Sequence, residues 1–228
     1  GASDFSTEIS RLQALRPDVV LNTGWGGDLD TFVRQAGQRG LFNGGTTFVM
    51  PLLESSLERL GAAVPAGIIA GARGDHYWAH PETANDPRHK DFVARFKAKT
   101  GANPIYPAYH MAQALFGLKA GYEAAIKANG GKWPAPEQVA AAMRTRKFKA
   151  VGREISMRED GQGLEAQLLG VTKRDPRYPF AVIDQMVLVP AELVTTPVGQ
   201  QSASWVKGIT PALAKVLPTR QFQTHAFK

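Results

Sequence analysis

The fold is decided by residues 4–41, which read DFSTEISRLQALRPDVVLNTGWGGDLDTFVRQAGQRGL. Apolar residues recur at helical spacing from Phe5 until a proline, which predicts a first helix. The short apolar run at 19–21 is typical of a parallel strand that is buried on both faces. A glycine-rich loop at 22–27 follows, and Asp28 can cap a second helix with one apolar face. The stretch therefore predicts helix, strand, loop and helix in that order.

The glycine-rich loop is the first candidate binding region, because ligands of open α/β sheets bind outside the carboxyl ends of the strands. The loop contains Asn22, Thr23, Gly24 and Trp25. Trp25 is flanked by glycines and lacks local packing partners, so it can either contact a ligand or pack between helices. Asn22 and Thr23 can contact a ligand through their polar groups or cap the neighbouring helix.

The same alternation of strands and helices continues beyond this stretch. We expect a second strand at 46–49, a loop at 50–53, a short helix at 54–60 and a third strand at 68–70. Three successive strand–helix units predict a parallel sheet with right-handed crossovers. The fold class predicted from these residues is α/β.

The pattern then changes to a segment without periodicity, followed by helices. Residues 75–89 contain three histidines and two prolines and are expected to form a long loop or crossover. Asp86-Pro87 is a good start for the next helix. A long helix at about 107–127 carries apolar side chains over a wide arc, so we expect it to be buried on more than one side. Another helix is expected from 137 to about 146.

The last part of the chain reads as strands and a tail. Strand-like pieces lie at 148–151, 155–157, 165–172 and 180–189. Their short connections predict largely antiparallel pairing, or edge strands added to existing sheets. From Pro190 onward, prolines and polar residues predict an extended tail with a short helix near 210–216.

The composition is that of an ordinary globular protein, with 43% hydrophobic and 21% charged residues. The absence of cysteine excludes disulfides, thiolate metal sites and cysteine nucleophiles. No apolar run approaches the roughly 20 residues that a membrane helix needs. The net charge of +7 is spread among charges of both signs, which favours a generally basic surface over a dedicated anionic partner. Nucleic-acid binding by the basic patch at 144–149 is not expected.

Motifs of enzyme chemistry are missing from the sequence, which has no phosphate-binding P-loop and no nucleophile elbow. The loop at 24–27 lacks the third glycine of a dinucleotide site and carries a bulky tryptophan. His76 and His80 have the spacing of a helical metal pair, but Pro81 follows them, so local hydrogen bonding is the favoured interpretation. His110 is expected to be packed or hydrogen-bonded, with a ligand contact as the alternative. We therefore expect no catalytic residue, no metal and no cofactor.

An ordered set of short motifs gives the chain a family resemblance. The motifs are Asp4-Phe5-Ser6, Leu12, 17–20, 24–28, Phe32, Gln35-Ala36, Gly40-Leu41, 92–101, 109–125, 136–143 and 158–162. In this order they resemble the branched-chain amino-acid binding protein family, the type I periplasmic solute-binding proteins of ABC importers. The resemblance covers residues 4 to about 172.

The resemblance implies the periplasmic-binding-protein type I fold, with two Rossmann-like lobes whose parallel sheets are flanked by helices. Members of the family carry a substantial segment before this point, so we expect an N-terminal segment or chain to be missing here. By the family's pattern, residues 1–72 belong to the second lobe and residues 73–155 complete the first. Residues 156–228 supply strands that return to the second lobe, followed by the extended tail.

The resemblance also implies a ligand site between the lobes. In the family an aromatic residue at the position of Trp25 contacts the ligand, as do loop residues at Pro51 and Leu52, and an aromatic near Tyr109 lines the cleft. The acidic residue that pairs with a ligand ammonium would fall near Leu52, where this chain is apolar, and the nearest carboxylate is Glu54. We expect a small amino acid or, given the large Trp25, an aromatic carboxylate as the ligand.

The function implied by the resemblance is that of a non-enzymatic, periplasmic protein, made with a signal peptide, which delivers its ligand to the membrane permease of an ABC importer. The alternative is a ligand-sensing receptor or regulator domain of the same bilobal fold. A third interpretation is an enzyme on a doubly wound sheet, with His76, His110 or Asp160 as the residues to test.

Overall fold

The computed structural model describes residues 1–216 and 223–227 of the 228-residue chain. The described residues form eight α-helices and eight strands, with three short 3-10 helices between them. The helices are α1 (Ser6–Leu15), α2 (Gly26–Gln38), α3 (Leu57–Leu60), α4 (Pro87–Thr100), α5 (Tyr106–Ala128), α6 (Pro136–Met143), α7 (Ala191–Val194) and α8 (Ser202–Val216). The strands are β1 (Val19–Leu21), β2 (Thr47–Met50), β3 (Ile69–Gly71), β4 (Lys147–Lys149), β5 (Glu154–Met157), β6 (Gly163–Leu164), β7 (Gln167–Arg174) and β8 (Ala181–Val189).

Five strands form one mixed sheet in the order β1-β2-β3-β7-β8. Its first three strands are parallel, as the repeated strand–helix units predicted. β7 joins β3 in antiparallel orientation, and β8 completes a hairpin with β7. The other three strands, β4, β5 and β6, form a separate antiparallel sheet. The prediction of largely antiparallel pairing in the C-terminal part is therefore confirmed.

The helices α1 and α2 pack on the five-stranded sheet through the apolar faces that their sequences predicted. Ile9 of α1 and Val33 of α2 are fully buried. Phe5 meets Phe32 edge to face, with 5.7 Å between the ring centroids, and so joins the two helices. These contacts hold α2 in place against α1 and the sheet, and α2 directly follows the glycine-rich loop.

The start of α4 follows from local sequence. The Asp86 carboxylate accepts hydrogen bonds from the backbone N–H groups of Arg88 and His89, at 2.9 and 3.1 Å. Pro87 occupies the first helical position, where its missing N–H has no intrahelical partner to lose. The helix ends at Gly101, whose φ of 77° suits a residue without a side chain.

Several predicted boundaries differ from the structure. Met50, expected in a loop, is the last residue of β2. The expected helix at 54–60 is α-helical only in α3, because the tighter 3-10 helix Leu53–Ser56 precedes it. The tail is less extended than expected, since α8 begins at Ser202. The short helix expected near 210–216 forms the last part of α8, which is longer than predicted.

The helix α5 is buried along one side, which corrects the prediction of burial on more than one side. Its buried stripe consists of Tyr106, Tyr109, Gln113, Gly117, Gly121 and Ala125. On its other side Met111, Leu115 and Leu118 are 62%, 60% and 43% exposed, because no other described element covers them. Neither α5 nor any other helix in the described ranges is long and apolar enough to cross a membrane.

The two edges of the five-stranded sheet differ. At the β1 edge the strand pairs with β2 alone among the described strands, and the side chains of Val19 and Leu21 are largely exposed. At the other edge Met186 of β8 makes an antiparallel bridge to His225, so the segment 223–227 protects that strand. The open β1 edge is therefore available to another strand.

Gly170 permits the close approach of β7 and β8. A side-chain carbon at this position would lie 2.7 Å from the carbonyl oxygen of Asp184 and even closer to the side chain of Ile183. The hairpin register shifts between Leu169 and Val171, at this same position. Only a glycine fits here without a movement of the β8 backbone.

Candidate functional site

The candidate site lies at the carboxyl ends of the three parallel strands, and we call this end of the sheet the carboxyl-end edge. Leu21 of β1 pairs with Val49 of β2, so the residues that follow the two strands emerge side by side. The backbone N–H of Asn22 still donates to the Val49 carbonyl oxygen, at 2.9 Å. The end of β3 joins them closely, because a side-chain carbon on Gly71 would lie 2.6 Å from the carbonyl oxygen of Pro51. Three consecutive parallel strands thus converge on one edge.

The loop after β1 has an ordered conformation that presents Trp25. The Asn22 side-chain oxygen accepts a hydrogen bond from the N–H of Gly24, at 2.7 Å, which fixes the turn. Trp25 follows in extended conformation and its side chain is 65% exposed, while Thr23 is also exposed. The structure therefore brings these residues to the surface at the carboxyl-end edge. None of the described residues buries the indole of Trp25.

The first turn of α2 adds hydrogen-bond donors to the same edge. Trp25 is the residue that precedes this 13-residue helix, and no described side chain caps its N-terminus. The first N–H groups of a helix lack intrahelical partners and carry partial positive charge, which favours an anion. A carboxylate beside Trp25 could therefore bind backbone donors and stack near the indole.

The loop after β2 contributes Pro51 and Leu52, which are partly buried. The next carboxylate, Glu54, faces inward and is 4% exposed. One of its oxygens accepts a hydrogen bond from the backbone N–H of Tyr106, at 3.3 Å. Burial raises the pKa of Glu54 to about 8, so the group is protonated and neutral at pH 7. Glu54 therefore does not offer a charged partner to a ligand ammonium group.

Arg73 is a site residue that the sequence did not single out. It follows β3 at the same edge and its side chain is exposed. Its backbone has a φ of 42°, which is rare and strained for a residue with a side chain. The guanidinium lies 5.6 Å from the ring centroid of Tyr106. The only hint in the sequence is its position just after a parallel strand.

Tyr109 lies on the buried side of α5, one turn after Tyr106. Its hydroxyl is 3.0 Å from the Nε2 atom of His89, and its ring meets the imidazole of His76 edge to face, with centroids 4.6 Å apart. The phenol is fully buried, and burial raises its pKa well above the usual value. A ligand contact by Tyr109 stays a prediction, whereas its packing role is visible in the structure.

A cluster of buried polar groups lies beside Tyr109, and we call it the Asp75 cluster. It comprises Asp75, His76, His110, Gln113 and Glu165. The His76 Nδ1 atom touches an Asp75 carboxylate oxygen and lies 3.5 Å from Glu165 Oε1. Gln113 Nε2 lies 2.7 Å from His76 Nε2 and 2.8 Å from Glu165 Oε1. His110 Nε2 approaches Glu165 Oε2 to 3.2 Å, although this contact is not a well-aligned hydrogen bond.

The two carboxylates of the Asp75 cluster differ in their proton affinity. Burial raises the pKa of Asp75, despite the opposing contact with His76. Burial alone would also raise the pKa of Glu165, but the interactions with His110, His76 and Gln113 together lower it to about 2. The contact with Glu165 in turn raises the pKa of His110. Glu165 is therefore ionised at neutral pH.

His80 belongs to a second group, together with Glu82, Arg153 and His225. Arg153 donates to Glu82 Oε2 at 2.9 Å and its Nη2 lies 3.2 Å from His80 Nδ1. His225 Nε2 lies 3.1 Å from Glu82 Oε1. Burial and the charge of Arg153 lower the pKa of His80 to about 4, so His80 is neutral at pH 7.

His76 and His80 thus lie in separate groups, and they do not form the helical pair that their spacing allowed. The local hydrogen bonding expected from the sequence is present, since His80 Nδ1 accepts from the backbone N–H of Glu82 at 3.3 Å and His76 contacts the adjacent Asp75. The rings also have partners far away in the sequence, Gln113 for His76 and Arg153 for His80, 37 and 73 positions away. Such contacts depend on the fold and leave no signal in the local sequence.

Comparison with known proteins identifies related folds. A family model described as "Periplasmic binding protein" matches residues 1–172. A search of curated proteins gave no match.

Three solved structures illustrate the similarity. The amino acid ABC transporter substrate-binding protein from Pseudomonas fluorescens Pf-5 has a TM-score of 0.63 at 21% identity, over 86% of this chain and 50% of that one. A leucine-binding protein from Thermotoga maritima MSB8 has a TM-score of 0.61 at 24% identity, over 84% of this chain and 50% of that one. An ABC transporter solute-binding protein from R. palustris in complex with benzoate has a TM-score of 0.60 at 19% identity, over 80% of this chain and 46% of that one. This chain spans about half the length of these relatives, and at these identities the likeness is one of fold.

Proposed function

Because this chain belongs to the periplasmic binding protein family, we propose that it forms part of the solute-binding component of an ABC importer and binds a small carboxylate. The observation that carries the proposal is Trp25, exposed at the carboxyl-end edge directly before the uncapped N-terminus of α2. In this role the protein binds its ligand in the periplasm and delivers it to a membrane permease, without catalysing a reaction.

A carboxylate suits the donors at this edge. The open N–H groups of α2 can bind its oxygens, and the indole of Trp25 offers an apolar face to the rest of the ligand. Arg73 supplies a positive charge two strands away, at about 10 Å if neighbouring strands are spaced by 4.8 Å. Asn22, Thr23, Gly24, Pro51 and Leu52 form the remainder of the proposed surface.

An aromatic acid suits the edge better than an α-amino acid. A ligand ammonium needs a carboxylate or several acceptors nearby, and Glu54, the acid nearest to Leu52 in the sequence, is buried and neutral at pH 7. Trp25 and Leu52 instead provide apolar contact area. The benzoate bound by one of the relatives is a ligand of the proposed chemical class.

We further propose that the site is completed by a second lobe. Residues 1–72 and 156–228 are assigned to one lobe and residues 73–155 to the other, with closure of the two lobes on the ligand by hinge motion. The open edge of β1 and the exposed side of α5 are the surfaces on which an additional polypeptide would pack. Native mass spectrometry tests this part, because a stable second polypeptide raises the mass above 24.7 kDa.

The ligand proposal is tested by isothermal titration of the purified protein with benzoate and, separately, with leucine. We expect benzoate to bind and leucine to bind weakly or not at all. Trp25→Ala should weaken benzoate binding at least about tenfold, which corresponds to ~1.4 kcal/mol. The matched control is Trp133→Ala, which removes another highly exposed indole. Trp133 is 75% exposed and lies outside the loops of the proposed site.

Two outcomes would contradict the proposal. Tight leucine binding without benzoate binding would show that the ligand class is wrong. Equal affinities of the Trp25→Ala and Trp133→Ala variants would show that the edge beside Trp25 is not the site.

A further inference from the structure

The Asp75 cluster brings together three side chains with the donor chemistry of a metal site. Asp75 and His76 follow β3, and Glu165 lies between β6 and β7, 90 positions further along the chain. One ligand atom of each residue lies within 4.8 Å of the others. Carboxylate oxygens and imidazole nitrogens are both ligand types that Zn²⁺ accepts, and three protein ligands leave the fourth position for water.

We propose that Asp75, His76 and Glu165 bind a divalent transition-metal ion such as Zn²⁺. This site uses residues that follow β3 and precede β7, none of them in the loops after β1 and β2, and it does not depend on the ligand proposed for the edge beside Trp25. It goes against the expectation from the sequence, which favoured no metal and considered His76 only together with His80.

Burial and unmet hydrogen bonding support the proposal. The residues Asp75 and His76 are each 5% exposed. The Asp75 Oδ1 atom is buried without a well-formed hydrogen bond, although the His76 ring lies against it. A buried carboxylate oxygen in this state carries a substantial cost unless a cation or donor satisfies it. A metal ion bound by Oδ1 would remove that cost.

Access and space for the ion are also present. A cavity of about 490 Å³ is lined by Asp75, Arg153 and Glu165. The cavity reaches two of the three residues and gives the ion an entry path, which a metal site requires. Arg153 Nε lies 3.8 Å from Asp75 Oδ2. Arg153 also contacts Glu82 Oε2, at 2.9 Å, so its charge is shared between the two carboxylates.

The surrounding residues can orient the metal ligands. Gln113 Nε2 lies 2.7 Å from His76 Nε2 and donates to Glu165 Oε1 at 2.8 Å, so this one amide contacts two of the proposed ligand residues. A partner at the second ring nitrogen is what usually orients a histidine that binds a metal. His110 contacts the second oxygen of Glu165, so it holds that carboxylate while Oε1 faces the ion. Gln113 and His110 are positioning residues in this arrangement.

The second histidine group is less suited to a metal. Arg153 already contacts both His80 Nδ1 and Glu82 Oε2, at 3.2 and 2.9 Å. A guanidinium in this place provides the positive charge that a metal ion would otherwise bring. His80→Gln is therefore a useful control, because it changes a buried histidine of this group, outside the Asp75 cluster.

The test is a titration of the chelator-treated protein with Zn²⁺ by calorimetry, followed by Co²⁺ substitution and its visible absorption. We expect one ion per chain, a visible band typical of low-coordinate Co²⁺ and a higher melting temperature with Zn²⁺ than with chelator. His76→Gln and Glu165→Gln should weaken Zn²⁺ binding by more than about 100-fold. Gln113→Ala should weaken it by about 10- to 100-fold, the usual effect of losing an orienting partner.

The control variants distinguish a metal ion in the Asp75 cluster from one bound by the second histidine group. His80→Gln should bind Zn²⁺ like the parent protein, and circular dichroism in chelator checks that each variant is folded. No Zn²⁺ binding by the parent, or loss of binding in His80→Gln with retention in His76→Gln, would overturn the proposal. Benzoate titration in the presence of chelator tests the edge beside Trp25 independently, so the failure of one proposal is distinguishable from the failure of the other.

Discussion

The variant Glu54→Gln should abolish a large dependence of stability on pH. The carboxyl group is 4% exposed, and it accepts a hydrogen bond from the backbone N–H of Tyr106. Its pKa rises from 4.5 to about 8 through burial, opposed in part by that hydrogen bond. Between pH 4.5 and about 8, the folded protein therefore holds a proton on Glu54 that the unfolded chain has released.

The sign and size of the effect follow from proton linkage. Since the pKa of Glu54 is higher in the folded state, its contribution to stability is fully present below pH 4.5 and is lost as the pH rises to about 8. Each pKa unit corresponds to about 1.4 kcal/mol, so the contribution to the free energy of unfolding falls by roughly 5 kcal/mol over this range. Glutamine has the same shape, stays neutral and can accept the same hydrogen bond.

The assay is urea unfolding of the parent and of Glu54→Gln, followed by circular dichroism at pH 5, 6, 7, 8 and 9. The two proteins should have similar free energies of unfolding at pH 5. At pH 9 the variant should be more stable by several kcal/mol. Other groups titrate in both proteins, so the difference between the two curves isolates Glu54. Glu8→Gln, which removes the same formal charge from the exposed surface of α1, is the matched control.

Equal pH profiles of the parent and Glu54→Gln would refute this reasoning. A variant that is less stable than the parent at pH 9 would do so as well, because it would mean that the ionised carboxylate is favourable in its site. Either result would also remove the reason for regarding Glu54 as unavailable to a ligand ammonium.

Three further variants test the packing of the structure by urea unfolding. Gly170→Ala should destabilise the protein by about 1–3 kcal/mol, since the new methyl group meets the β8 backbone; an unchanged midpoint would contradict the close approach. Asp86→Ala should cost about 1 kcal/mol through loss of the α4 cap, whereas Asp91→Ala on the exposed surface of α4 should cost much less. Tyr109→Phe should cost about 1–3 kcal/mol by leaving His89 without its partner; unchanged stability with weaker ligand binding would instead place Tyr109 in the cleft.

The sequence predicts those parts of the fold that depend on local patterns. Asp86-Pro87 starts α4 as expected, and the repeated strand–helix units correspond to the parallel order of β1, β2 and β3. The loop containing Trp25 lies at the carboxyl end of β1 as the pattern indicated. These features involve neighbouring residues, whose capping, turn and periodicity preferences are readable without the tertiary structure.

The remaining features depend on contacts between distant residues. The burial of Glu54 is produced by α5, which begins about 50 positions later. The Asp75 cluster requires Glu165 to return beside His76, and only the sheet topology brings it there. The exposed side of α5 was predicted to be buried because it is apolar. An apolar sequence does not show whether another element covers it, since exposed apolar side chains are common.

The pairing of β3 with β7 has a consequence for the order in which the protein folds. Strands β1 to β3 come from one continuous stretch, but the Ile68 N–H donates to the Thr172 hydroxyl across 104 positions, next to the β3–β7 ladder. As the chain folds, β3 therefore stays an unprotected edge until β7 reaches it, and α4, α5, α6 and the three-stranded sheet lie between the two strands in the sequence. Closing so long a loop slows folding, and the waiting edge is exposed to wrong partners. The arrival of the β7–β8 hairpin removes that exposed edge, because β7 then pairs with β3.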